Sequence, residues 1–71
     1  MLVDLSKVDL TGANLSGAKL VDSNLTGADL NEVKLKDANL TGANLTGTNL
    51  TKADLTGIIL RNTYLEDNFT I

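Results

Sequence analysis

Leucine recurs at every fifth position of this chain, thirteen times without interruption. The positions are Leu5, Leu10, Leu15, Leu20, Leu25, Leu30, Leu35, Leu40, Leu45, Leu50, Leu55, Leu60 and Leu65. The residue two before each leucine is small or β-branched, and the other three positions are mostly polar or glycine. The apolar pattern therefore has a period of five residues, and we interpret all thirteen leucines as the structural core.

A period of five fits neither common secondary structure. On an α-helix, five residues advance by about 500°, or about 140° net, so the leucines would spiral around all sides of the helix. On a flat strand, side chains alternate between faces, so successive leucines would point to opposite sides. Both arrangements leave about half of the leucines in water.

A chain that turns a corner every five residues keeps every leucine inside. Four such steps close a square coil, so residue i lies on residue i+20, about 4.8 Å away along the coil axis. The pattern thus predicts a β-solenoid of just over three coils. In six repeats the second residue after leucine is glycine. Glycine readily adopts the positive φ angle that such a corner needs.

The period of twenty assigns the outward residues to four faces. The residues just before leucine form four columns: Asp4, Asn24, Asn44 and Tyr64 on the first face; Asp9, Asp29 and Asn49 on the second; Asn14, Lys34 and Asp54 on the third; Lys19, Asn39 and Ile59 on the fourth. We expect stacked amides, such as Asn24 over Asn44, to form hydrogen-bond ladders between coils.

Composition restricts the chemistry available to the chain. Its 71 residues include no cysteine and no histidine, so we predict no catalytic residue, no metal site and no cofactor. The net charge of −3, with acids and bases interspersed, argues against direct binding of nucleic acid. No signal peptide and no membrane span are apparent, which favours a cytoplasmic location for this chain.

Two outward positions in the last coil depart from the polar rule. Ile59 and Tyr64 lie one corner apart, and Val21 is a third outward apolar residue two coils away. The repeat fails at Thr70, so the tail 68–71 either caps the open end, with Phe69 packing there, or leaves a surface for another chain or domain. We select Ile59, Tyr64 and Phe69 as the candidate interaction surface. Open coil edges also predict end-to-end self-association.

The repeats TGANL, SGAKL, TGADL and DANLTGANLTGTNL resemble the pentapeptide repeat family, whose unit is A(D/N)LXX. The resemblance covers Val3 to Asp67 in a single domain of residues 1–71, and it implies an all-β fold: a right-handed quadrilateral parallel β-helix of about three coils of four pentapeptides. The phenylalanine that the family often places at central positions is absent here. The resemblance also implies a cyanobacterial or other bacterial source and frequent fusion to other domains.

We interpret the chain as a non-enzymatic structural or protein-interaction module that binds a protein partner or a fused domain. Some members of the family protect DNA gyrase by imitating the charge and width of duplex DNA. The alternative function is therefore that of a DNA mimic that binds a gyrase-type topoisomerase through the acids of the second face, Asp9, Asp29 and Glu32.

Overall fold

The computed structural model describes residues 3–65. Within that range the chain forms no helix and no strand longer than one bridged residue. Instead, single residues form nine parallel bridges, each between positions twenty apart, from Asp4 with Asn24 to Asn44 with Tyr64. Every bridged residue is the one just before a leucine. The predicted stacking of residue i on residue i+20 is therefore present.

Backbone hydrogen bonds hold each coil to the next in both directions. The Leu5 N–H donates to the Asn24 carbonyl at 2.7 Å, and the Lys7 N–H donates to the Thr26 carbonyl at 2.9 Å. In return, the Asn24 N–H donates to the Val3 carbonyl at 2.8 Å. The same pattern recurs along the stack, so the backbone groups between coils satisfy one another without long strands.

Each of the twelve leucines from Leu5 to Leu60 starts a β-turn that makes the corner. Its carbonyl accepts the N–H three residues on, as in Ala13 to Leu10 at 2.9 Å, and the third residue of the turn has a positive φ. The positive φ occurs at all twelve such positions, between 55° and 75°, and the backbone hydrogen bond occurs at eleven of them. At the twelfth, the Thr63 hydroxyl donates to the Leu60 carbonyl at 3.1 Å. Six are glycine, as the sequence predicted, but six are not: Lys7, Asp22, Glu32, Asp37, Lys52 and Asn62. A left-handed non-glycine residue costs about 1–2 kcal/mol, so stacking overrides local preference at these corners.

The interior is filled by two inward columns in each face. Seven consecutive leucines are buried: Leu20, Leu25, Leu30, Leu35, Leu40, Leu45 and Leu50. The smaller column beside them contributes Ala28, Val33, Ala38 and Ala43. Leucines on either side of this run are only partly buried, and Leu65, which the leucine period predicts to be core, is 37% exposed. The exposure of the leucines therefore rises toward both ends of the described stack.

Candidate interaction surface

A local hydrogen-bonded brace accounts for most of the outward polar residues. The Oδ1 atom of the Asp or Asn before leucine accepts the backbone N–H of the residue after leucine at 3.0–3.1 Å in nine repeats. In five of these repeats a Ser or Thr hydroxyl donates to the same oxygen at 2.6–2.7 Å. The brace encloses the leucine and fixes the start of the turn, as Asx turns do.

This brace corrects the expectation of hydrogen-bond ladders. Asn24 and Asn44 do lie one above the other, but the Oδ1 of each accepts from Thr26 or Thr46 of its own repeat. A short side chain reaches its neighbour two residues on more directly than the coil above. These columns therefore stabilise individual repeats, and the repeated pairing of Asp or Asn with Ser or Thr two residues later was the signal for it.

Four of the residues before leucine cannot form the brace, because their side chains lack an oxygen in the required place. They are Lys19, Lys34, Ile59 and Tyr64. A hydrogen bond of this kind contributes about 0.5–1.5 kcal/mol, so each of these repeats forgoes a local contribution to stability. Stability of the repeat therefore does not explain why Ile59 and Tyr64 occupy their positions.

The outward apolar side chains gather around one edge of the solenoid. We call the residues that link the fourth face to the first the fourth corner; they are residues 21–22, 41–42 and 61–62. Val21 lies on this corner and is 45% exposed. Ile59 lies just before it on the fourth face, bridged to Asn39, and is 40% exposed. Tyr64 lies just after it on the first face and is 64% exposed.

The remaining exposed apolar residues of the described range are of a different kind. Val3 and Leu65 are 43% and 37% exposed, and both belong to inward columns of the outermost coils. Phe69, the third residue of the predicted surface, lies outside the described residues, as does the tail 68–71. The structure thus places Ile59 and Tyr64 on either side of the exposed Arg61, and it adds Val21 to the same corner.

Two of the three residues in the outward column of the second face are acidic. Asp9 and Asp29 are bridged partners, and Asn49 follows Asp29 in the stack, so the column holds two carboxylates and then a neutral amide. The Thr11 hydroxyl and then the Thr11 N–H lower the pKa of Asp9 below its ordinary value of 3.8, so this carboxyl is charged at neutral pH. Glu32 lies on the adjoining corner and is exposed.

The described residues contain no arrangement typical of a metal centre. No three Asp or Glu side chains in residues 3–65 come together as ligands for an ion. Buried side chains in this range are hydrophobic except for Ser23, whose Oγ has no hydrogen-bond partner among the described residues. The same part of the chain contains no helix that is long and apolar enough to cross a membrane.

A single-residue bridge every five positions, a turn after each leucine and stacking at a period of twenty define a β-helical repeat protein. The sequence profile of pentapeptide repeats matches the chain in eight copies over residues 3–27 and 28–67. The chain belongs to the pentapeptide repeat family.

Solved structures of the same family are similar to this chain. The pentapeptide repeat protein Rfr23 from the cyanobacterium Cyanothece 51142 shares 43% identity with a TM-score of 0.87, over 93% of this chain and 46% of that one. The protein alr5209 from Nostoc PCC 7120 shares 37% identity over 94% of this chain and 69% of its own, with a TM-score of 0.41.

HetL from Nostoc, involved in the regulation of heterocyst differentiation, shares 34% identity over 86% of this chain and 38% of its own, with a TM-score of 0.41. The chain thus spans about half the length of Rfr23 and less than half that of HetL. The comparison with curated protein sequences finds no match.

Proposed function

We propose that this chain is a non-enzymatic structural module that binds a protein partner, or a fused domain, through the fourth corner. The solenoid is a right-handed quadrilateral β-helix of about three coils, and it serves as a rigid support for that surface. The observation that carries the proposal is the pair Ile59 and Tyr64: they are 40% and 64% exposed at positions where nine other repeats have a bracing Asp or Asn.

The residue types at the corner suit protein binding. Tyrosine and arginine are enriched among the residues that dominate binding energy at interfaces, and a tyrosine ring offers a large contact area with few rotatable bonds. Tyr64 and Arg61 are separated by two residues and both are exposed. The parallel bridges at Asn39–Ile59 and Asn44–Tyr64 anchor the backbone of the two apolar residues, so binding would order little of it.

The packing of the interior supports a role without catalysis. Leucine, alanine and valine occupy the buried positions of the described coils, and the outward Asp and Asn oxygens are engaged in braces. The sequence contains neither histidine nor cysteine, the side chains most often used as a general base or nucleophile near neutral pH. Activity of this module would therefore depend on its outer surface.

Affinity capture from a bacterial lysate tests this function. The double variant Ile59→Asp, Tyr64→Ser should lose the proteins that the wild type retains, whereas Asn49→Asp, on the second face, should keep them. Thermal unfolding of each variant checks that the fold is intact. Retention of the same proteins by the folded double variant would refute the fourth corner as the binding surface.

The alternative, a DNA mimic that binds a gyrase-type topoisomerase, is supported by the bridged carboxylates of Asp9 and Asp29. Inhibition or protection of gyrase in a supercoiling assay should then disappear in the triple variant Asp9→Asn, Asp29→Asn, Glu32→Gln. Asparagine keeps the Oδ1 brace, so this variant removes charge without removing the local hydrogen bond. No effect of the wild-type protein on supercoiling would exclude this alternative.

A further inference from the structure

The side-chain amides beside Ile59 and Tyr64 present hydrogen-bond donors to their surroundings. Asn39 is bridged to Ile59, and Asn44 is bridged to Tyr64. The Oδ1 atom of Asn39 accepts the Thr41 N–H at 3.1 Å and the Thr41 hydroxyl at 2.6 Å. Because an N–H group bonds to the amide oxygen and not to the amide nitrogen, this brace fixes the orientation of the side chain. The Nδ2 group of Asn39, which only donates, is the end that remains for another molecule.

Asn44 is oriented in the same way, because its Oδ1 atom accepts the Thr46 N–H at 3.0 Å. Asn39 and Asn44 are half-buried, whereas the apolar side chains of the following coil are exposed. The two amides therefore lie lower than Ile59 and Tyr64 and offer donors beside them. An aspartate with the same brace would present a second acceptor oxygen instead of a donor.

The charge of the fourth face and its corner is positive in the described part of the chain. The residues concerned are 18–24, 38–44 and 58–64. They include two exposed bases, Lys19 and Arg61, and one acid, Asp22. Arg61 is the sole charged residue in the last two of these ranges. Glu66 and Asp67 lie outside the described residues and are not in this count.

The outward column of the fourth face also differs from the other three. Its members are Lys19, Asn39 and Ile59, whereas each of the other outward columns contains at least one aspartate. The one opposing charge is at the corner, where the Asp22 carboxylate leans over Gly42. The surface around Ile59 is therefore donor-rich and weakly basic on a chain whose net charge is −3.

We propose that the partner presents to Arg61 the carboxylate of an aspartate or glutamate that is flanked by apolar side chains. This inference rests on the proposed function, because it names the chemistry that the same surface recognises. The planar guanidinium group of arginine donates two parallel hydrogen bonds to a carboxylate. Apolar groups of the partner cover Ile59 and Tyr64, on the two sides of Arg61, and exclude water from the ion pair. The Nδ2 groups of Asn39 and Asn44 donate to further acceptors of the partner.

Other kinds of partner fit this surface less well. A basic segment would bring a like charge to Arg61 and would set its own donors against the amide donors of Asn39 and Asn44. A segment without polar groups would cover Ile59 and Tyr64 but would bury the guanidinium without an acceptor, which is costly. The surface therefore favours an acidic, partly apolar segment by attraction and opposes the others by repulsion or desolvation.

Selection of short random peptides displayed on phage, with the intact chain as bait, tests this chemistry. Peptides retained by the wild type should be enriched in aspartate or glutamate next to leucine, isoleucine or aromatic residues. Arg61→Glu should instead retain peptides rich in lysine or arginine. The control, Lys52→Glu, reverses an exposed charge on the second corner and should retain the acidic peptides. Glutamate suits that backbone, because Glu32 has the same turn position one coil away, with φ of 61°.

The affinity of one selected acidic peptide, labelled with fluorescein and measured by fluorescence polarisation, then tests the amide donors. Asn39→Asp keeps the Oδ1 brace but replaces the Nδ2 donor with a carboxylate oxygen, so the peptide should bind at least about tenfold more weakly. Asn49→Asp makes the same change on the second face and should leave the affinity unchanged. Asp22→Asn removes the opposing charge and should strengthen binding.

The inference would be overturned if the wild type retained no peptides, if the retained peptides showed no acidic enrichment, or if they bound Arg61→Glu as tightly as the wild type. Equal affinities of Asn39→Asp and Asn49→Asp, or weaker binding by Asp22→Asn, would also contradict it. The proposed function is tested separately by the lysate partners of the double variant Ile59→Asp, Tyr64→Ser. Loss of those partners, with no acidic enrichment among the peptides, would retain the proposed function and reject the acidic partner.

Discussion

Truncation of one central leucine should destabilise the fold much more than truncation of its neighbour in the same stack. Leu35 is 1% exposed and has a leucine twenty residues away on each side, Leu15 and Leu55. Leu55 is only partly buried. The pair Leu35→Ala and Leu55→Ala therefore compares the same chemical change in the same column at two depths of burial.

The expected cost follows from the atoms removed. Leucine to alanine deletes about three carbons, or about 2.4 kcal/mol of transfer free energy at ~0.8 kcal/mol each. The cavity left between two coils raises the loss at Leu35 to about 3–4 kcal/mol. Leu55 is already partly exposed to water, so Leu55→Ala should lower the free energy of unfolding by only about 1–2 kcal/mol. A domain of this size has a stability of only about 3–5 kcal/mol, so Leu35→Ala should be close to unfolding at room temperature.

Urea unfolding followed by far-ultraviolet circular dichroism gives both free energies by linear extrapolation. The slope with urea should be the same in the two variants, since both leave the same fold. Equal losses at Leu35 and Leu55 would refute the reasoning, because they would mean that the two side chains are equally buried.

Three further predictions concern the corners, the interior and pH. Ser23→Ala removes a buried hydroxyl that has no hydrogen-bond partner, so it should leave the free energy of unfolding unchanged or raise it by about 1 kcal/mol. A loss above about 1 kcal/mol would indicate a hydrogen bond that the structure lacks. In urea unfolding, Gly42→Ala should lower the free energy of unfolding more than Gly27→Ala does. Both positions have a positive φ, but only at Gly42 would the new Cβ meet the Asp22 carboxylate. The difference should vanish in an Asp22→Gly background. Hydroxyl and N–H donors of Ser6, Thr11 and Thr56 lower the pKa of Asp4, Asp9 and Asp54 below 3.8. The three charged carboxylates therefore contribute their full stability above that pH, and this contribution is lost as the pH falls through the lowered pKa values. The triple variant with asparagine at these three positions keeps the braces and should show a flatter decline of the melting temperature below pH 3.8, and an unchanged decline would contradict this origin.

The leucine period was sufficient to predict the stack. A step of five residues fits neither a helix nor a flat strand, so pairs such as Asn24 and Asn44 could be placed one above the other from the sequence. The same period placed Ile59 and Tyr64 one corner apart, on neighbouring faces. The exclusion of a helix and of a flat strand made these predictions possible, and the bridges confirm the register of twenty residues.

Other features depend on contacts that the sequence pattern does not encode. Lys7, Glu32 and Lys52 have left-handed backbones because the coil imposes a corner there, although their own preference is for other conformations. The Asn24 side chain could accept hydrogen bonds from Thr26 of its own repeat or pair with Asn44 of the next coil. It accepts from Thr26, because Thr26 is within direct reach of its short side chain.

Several expectations stay predictions. The part played by Phe69 and the tail 68–71, end-to-end association, the cytoplasmic location and the identity of any partner each need an experiment.

Every statement about the fourth corner requires that Ile59 lie directly over Asn39, one coil away. The sequence has no cysteine, so the double variant Asn39→Cys, Ile59→Cys introduces the two thiols of one bridged pair. Stacked residues are about 4.8 Å apart, within the roughly 4.4–6.8 Å between Cα atoms that a disulfide spans. Mild oxidation at low protein concentration should give an intramolecular disulfide by mass spectrometry, whereas Asn44→Cys, Ile59→Cys, on neighbouring faces, should stay reduced. A disulfide in the second variant and none in the first would contradict the register of twenty residues.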